Sequence, residues 1–166
     1  TAKFRNNGQV CISPNRFYIQ ENKKDEFINA FIDRAKKLKI GNGMDEGVQL
    51  GPLTTAKRLS EVEELVEKTK NEGAKVLLGG KRPQGFNKGY FYEPTVFDNV
   101  EDNFTIMKEE PFGPLVPMLS FKTFDEVIQR ANNNDLGLCS YIYTNSLDKA
   151  NRASELMETG TVAVNT

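Results

Sequence analysis

Hydrophobic positions fall at two spacings along the chain, and the spacing changes repeatedly. "RFYIQ" (residues 16–20) is rich in β-formers and predicts a strand. Behind it Phe27, Ile28, Phe31, Ile32, Ala35 and Leu38 share one helical stripe. Asn22 is placed to cap that helix, Asp25 and Glu26 occupy its first turn, Lys36, Lys37 and Lys39 its last, and Gly41 and Gly43 end it. A second helix begins near Thr55, carries Leu59, Val62, Leu65, Val66 and Thr69 on one face, and stops at Gly73.

"KVLLGG" then predicts a short buried strand, "GYFYEPTVF" an extended stretch with Pro94 at an edge or bulge, and "LVPMLSF" a further strand. "TFDEVIQRANN" carries a capping box, Thr123 with Glu126, over an apolar face of Phe124, Val127, Ile128 and Ala131. "LCSYIYT" predicts a buried strand, Ser146 caps a last helix with Leu147, Ala150, Ala153, Leu156 and Met157, and "TVAVN" follows Gly160 as the final strand. Strands alternating with helices of this length imply an α/β fold, a largely parallel twisted sheet flanked by helices. No internal repeat, low-complexity tract or linker interrupts the 166 residues, so one domain is expected.

Composition narrows the function. A net charge of −1 lacks the concentrated positive charge that nucleic acid or an anionic membrane would require. No apolar run is long enough for a bilayer, and no signal-peptide pattern is present. Histidine is absent, which excludes a Ser–His or Cys–His pair within the chain and argues against zinc, so no metal is expected. The two cysteines sit in unlike surroundings, Cys11 in a polar loop and Cys139 in an apolar run. That contrast favours two free thiols and a reducing, cytoplasmic setting, with Cys139 a core thiol. The chain opens without Met and closes inside a strand pattern, and it is therefore expected to be a piece of a longer protein.

Two stretches do not read as scaffold. In "KFRNNGQVCISPNRF" (residues 3–17) Cys11 is flanked by Gly, Asn, Gln and Pro, the composition of irregular backbone. Gly8 allows close approach of the main chain, and backbone N–H groups in such a turn can face a developing negative charge. A thiol attacks as its thiolate, a minority species at an ordinary pKa of about 8.5. Gln9 either orients this loop or is simply solvated. In "KEEPFGP" (residues 108–114) a carboxylate and an aromatic ring are stiffened by Pro111 and Pro114, a pairing suited to a sugar diol and a flat heterocycle.

"FRNNGQVC", "KEEPFGP" and "GTVAVN", in that order, resemble the catalytic domain of the aldehyde dehydrogenase superfamily, with "GNGMDEGVQLGPL" and "GYFYEPTVF" falling where that family has them. "KFRN" further resembles the succinate-semialdehyde dehydrogenase branch. The resemblance implies that residues 1–166 are the cysteine-bearing catalytic domain of a longer dehydrogenase. The cofactor-binding domain, the general-base glutamate, the oxyanion Asn and the oligomerisation strand would then lie outside the chain. It implies a homo-oligomer when full-length, acting on a small-molecule aldehyde with NAD or NADP, and an isolated fragment that is inactive.

Within that resemblance Cys11 is the nucleophile, passing through a thiohemiacetal and a thioester to the acid. Arg5 pairs with the far carboxylate of succinate semialdehyde, while Glu110 hydrogen-bonds the nicotinamide ribose and Phe112 packs near the nicotinamide. The branch's usual second cysteine is replaced by Ser13. Two other readings stand beside it: an acyl-phosphate reductase of the same superfamily, and a non-catalytic interaction domain.

Overall fold

Each change of hydrophobic spacing becomes a change of element. The computed structural model describes residues 2–166 and runs β1 (Phe17–Gln20), α1 (Lys24–Ala35), α2 (Ala56–Asn71), β2 (Lys75–Leu78), β3 (Thr95–Asp98), α3 (Thr105–Lys108), β4 (Leu115–Phe121), α4 (Phe124–Asn132), β5 (Cys139–Ile142), α5 (Leu147–Leu156) and β6 (Thr161–Val164). Three helices start where a hydroxyl can accept a free N–H of the first turn. The Thr55 hydroxyl accepts from the Arg58 amide at 3.1 Å, Thr123 from Glu126 at 3.2 Å and Ser146 from Lys149 at 3.3 Å. The Glu126 carboxylate reaches back to the Thr123 amide, completing the capping box.

α1 departs from expectation at both ends. Asn22 does not cap it but lies inside a short 3₁₀ turn, Glu21–Lys23, and the helix stops at Ala35, so Leu38 lies beyond it.

One sheet has the order β1-β4-β3-β2, with β1, β4 and β3 parallel and β2 antiparallel to β3. β4 carries Pro117, which cannot donate to a ladder. It is tolerated because β4 pairs with β3 through residues 115–117 and with β1 through residues 118–121, so the missing N–H falls where the pairing changes partner. β5 and β6 form a separate parallel pair.

The five α2 residues predicted to face inward are all buried, against Phe97, Leu115 and Ile106. A second cluster joins Ile19, Ile28, Val116 and Met118 on another part of the same sheet. β5 and β6 are only half-buried, and α5 buries Ala153 alone. Cys139 is therefore a half-buried thiol and not the core thiol expected: its two-stranded pair is only partly covered among the described residues, and Leu136 and Leu138 just before it are exposed. Among the described residues no helix is long and apolar enough to cross a membrane, and no cluster of three or more His, Cys, Asp or Glu could hold a metal.

Candidate active site

β1 and β4 run parallel, so the segments entering them emerge at the same end of the sheet. One of those segments carries Cys11 and the other carries Glu110 and Phe112. The topology thus brings together the two stretches that the sequence singled out.

The Cys11 loop begins with three successive residues of left-handed backbone, Asn6, Asn7 and Gly8 at φ 48°, 58° and 78°. Asn tolerates this region through its short polar side chain, and Gly pays no Cβ penalty there. Gly8 is also required by contact: a Cβ at that position would lie 2.2 Å from the carbonyl oxygen of Gly113. The backbone of the cysteine loop therefore rests directly on that of the Glu110–Pro114 segment.

Side-chain amides fasten the loop on its other side. Gln9 Nε2 donates to the Asn6 carbonyl at 3.1 Å, and its Oε1 accepts the Thr54 amide N–H at 2.9 Å. Asn7 Nδ2 donates to the Gly51 carbonyl at 3.1 Å. Gln9 is thus an orienting residue, which settles the choice that the sequence left open. At the base of the loop the Ser13 hydroxyl donates to the Lys3 carbonyl at 3.1 Å, and Lys3 Nζ donates to Asn15 Oδ1 at 2.9 Å. Lys3, Asn7, Gln9 and Ser13 are four of the six buried polar or charged residues among those described. That concentration marks a prearranged loop, since buried polar groups persist where they are hydrogen-bonded.

Cys11 itself is exposed and free, in a turn closed by the Ser13 amide donating to the Val10 carbonyl at 2.8 Å. Tyr141 Oη donates to the Ile12 carbonyl at 2.9 Å, tying β5 to the same turn. Arg5 is exposed at the start of the left-handed run and takes part in no ion pair among the described residues. Glu110 is exposed. Phe112 is half-buried at φ 40°, an uncommon backbone for an aromatic residue, with the Arg58 guanidinium 5.8 Å from its ring centroid.

Lys3 and Asn7 escaped the sequence reading. Nothing local marks Lys3 as buried, because a lysine two residues from an arginine at the head of a polar stretch reads as solvated. Burial lowers its pKa to about 7, against an upward pull from the Glu110 carboxylate.

A cavity of about 440 Å³ lies at the opposite, carboxyl end of β4, lined by Lys24, Glu101, Asp102 and Arg130 among others. Its cations are already matched: Arg130 pairs with Asp102 at 2.6 Å and Glu126 at 2.7 Å, and Lys24 with Asp98 at 2.5 Å. It contains none of the residues singled out above.

A model of the aldehyde dehydrogenase family matches residues 1–166. The chain is 42% identical over 165 residues to a mitochondrial succinate-semialdehyde dehydrogenase of Oryza sativa subsp. japonica, covering 99% of this chain and 31% of that protein. It is 43% identical over 162 residues to cytosolic aldehyde dehydrogenase 1 of Rattus norvegicus, covering 98% and 32%. A solved NAD+ complex of an aldehyde dehydrogenase from Bacillus cereus superposes with a TM-score of 0.95 at 36% identity, over 99% of this chain and 33% of that one. The chain spans about a third of the length of these two curated relatives.

Proposed function

The chain belongs to the aldehyde dehydrogenase family, and on that premise we propose that residues 1–166 supply the nucleophile and part of the cofactor grip of an enzyme oxidising an aldehyde to its acid. The observation that carries this reading is the seating of Gly8 on the Gly113 carbonyl, with an exposed Cys11 three residues further on. That contact joins a reachable thiol to a carboxylate and an aromatic ring on a stiffened segment.

In this mechanism Cys11 Sγ, as thiolate, bonds to the aldehyde carbon, and the carbonyl oxygen becomes an oxyanion. The backbone N–H of Cys11 is the donor proposed to steady that charge. Loss of hydride from the tetrahedral carbon leaves a thioester on Cys11; water then adds, the C–S bond breaks, and the acid, the thiolate and a proton are released. NAD or NADP, when bound, supplies the hydride acceptor. An exposed carboxylate at Glu110 fits a ribose diol, and the half-buried ring of Phe112 offers a face to a planar heterocycle.

The substrate proposed is succinate semialdehyde. Arg5 supports this choice, as an exposed guanidinium with no ion-pair partner of its own among the described residues. Its planar fork matches a carboxylate bidentately.

The test is NAD(P)H formation by the full-length protein on addition of aldehyde. Cys11→Ser is expected to lower the rate by several orders of magnitude, because the covalent route is removed; wild-type rates would overturn the mechanism. In the same assay Arg5→Ala should raise KM for succinate semialdehyde far more than for an uncharged aldehyde. An equal rise for both removes the proposed carboxylate contact.

A further inference from the structure

Residues 3–15 form a loop around Cys11 whose two arms are bonded to each other, and the mechanism above gives those bonds no task. Lys3, the one buried charged side chain among the described residues at 3% exposure, holds the far arm at two points. Its Nζ donates to Asn15 Oδ1 at 2.9 Å, and its backbone carbonyl accepts the Ser13 hydroxyl at 3.1 Å. Pro14 stands between the two partners, and its ring fixes a backbone torsion there. Ser13, itself 5% exposed, also closes the turn that carries the thiol, since its amide donates to the Val10 carbonyl at 2.8 Å.

In that turn Cys11 is the first central residue, so its own N–H is not consumed by the closing bond. One residue thereby presents a thiol and a free backbone donor from a turn tied at both arms. Bulk alone does not explain a lysine in this place. A methionine would fill the same channel without the penalty of desolvating an ammonium. What methionine lacks is a donor for Asn15, and the hydrogen bond is therefore what the lysine adds.

We propose that Lys3, Ser13 and Asn15 are positioning residues: together they clasp the Cys11 turn and fix the direction in which its thiol and amide face the aldehyde carbonyl. The proposal rests on the nucleophile role given to Cys11 above. Lys3 and Ser13 are enclosed while Cys11 is exposed, so the clasp acts through Cys11 and not on the substrate.

The experiment compares the full-length wild type with Lys3→Met, Asn15→Leu, the double variant and Asn15→Asp, reading kcat, KM for NAD(P)+ and denaturant unfolding. Lys3→Met and Asn15→Leu should each lower kcat by about tenfold or more, the scale of a small misplacement of reacting groups, with KM for cofactor little moved. Asn15→Leu also leaves a buried ammonium without its acceptor and should be the less stable of the two. In the double variant both partners are apolar. Its stability should return toward wild type while kcat stays as low as in either single variant. Asn15→Asp keeps an acceptor and should retain most of the wild-type kcat. Recovery of kcat along with stability in the double variant overturns the proposal, because packing alone would then suffice. Losses of kcat that multiply in the double variant overturn it as well, since one shared bond can be lost only once. So does an Asn15→Asp enzyme as slow as Asn15→Leu.

A second measurement needs no aldehyde. Iodoacetamide labelling of Cys11, followed in its own peptide by mass spectrometry, should speed up several-fold in Ser13→Ala and in Lys3→Met as the turn loosens. An unchanged labelling rate overturns the clasp, whatever the protein proves to oxidise. A raised rate in a protein lacking aldehyde activity overturns the functional reading and leaves the clasp standing.

Discussion

The layer built from α2, β3 and β4 and the unit built from β5, α5 and β6 follow the same local rules and end in opposite states. Each starts its helix with a hydroxyl cap, and each pairs parallel strands. Yet Val66, Phe97, Ile106 and Leu115 are 0% exposed, whereas Leu138, Tyr143 and Leu147 are 55%, 69% and 76% exposed. Caps and periodicity decide what an element is; only a partner surface decides whether its apolar face is buried. α2 finds its partner in the four-stranded sheet, while a two-stranded pair with one helix offers too little surface to cover itself. The Cys11 loop lies at the seam, resting on Gly113 of the packed layer and accepting a hydrogen bond from Tyr141 of the open one.

The widest separation between the two regions should appear in their cores. Phe97→Ala is expected to cost about 3–5 kcal/mol through lost burial and a cavity. Leu147→Ala should stay within about 0.5 kcal/mol, because the side chain is already largely in water. Denaturant unfolding of both variants reads the difference, and equal costs would erase the distinction. Gly8→Ala comes next. It forces a non-glycine residue to φ 78° and drives its Cβ against the Gly113 backbone, for a cost of about 2 kcal/mol or more. Its signature is a disproportionate loss of rate: NAD(P)H formation should fall further than in Phe97→Ala at a temperature where both are folded. A rate matching the stability loss would mean that the contact is scaffold and not delivery of the thiol.

These contrasts also show what the sequence could disclose. Helix starts at Thr55, Thr123 and Ser146 were legible because a cap is a local event. Asn22 misled because Glu21–Lys23 form a 3₁₀ turn before α1, which puts Lys23 and not Asn22 at the position that precedes the helix, where no side chain caps it. Cys11, Glu110 and Phe112 were legible as unusual stretches, and the fold brings their segments together. What stayed hidden depends on distant parts of the chain meeting. Gln9 is an orienting residue only because the Thr54 amide arrives 45 residues later in the chain. Lys3 is buried only because the turn beyond Cys11 folds back over it. The openness of β5 was invisible for the same reason: its apolar run looks identical whether or not a neighbour covers it.

The smallest effect expected is the most specific to the seam. Tyr141→Phe removes one hydrogen bond, that to the Ile12 carbonyl at 2.9 Å, and keeps the ring. Burial, with Cys139 adding to it, pushes the Tyr141 hydroxyl above its ordinary value, so it remains a donor at neutral pH. An accessible neutral hydrogen bond contributes about 0.5–1 kcal/mol, so unfolding should barely register the change. Alkylation of Cys11 by iodoacetamide should register it, because the carbonyl released belongs to the residue next to the thiol and the turn loses its tie to β5. A modest rise in alkylation rate without loss of stability would show that the open unit steadies the loop. An unchanged rate would mean that the packed layer alone holds Cys11 in place, through Gly8, Asn7 and Gln9, and that the open unit contributes nothing to the site.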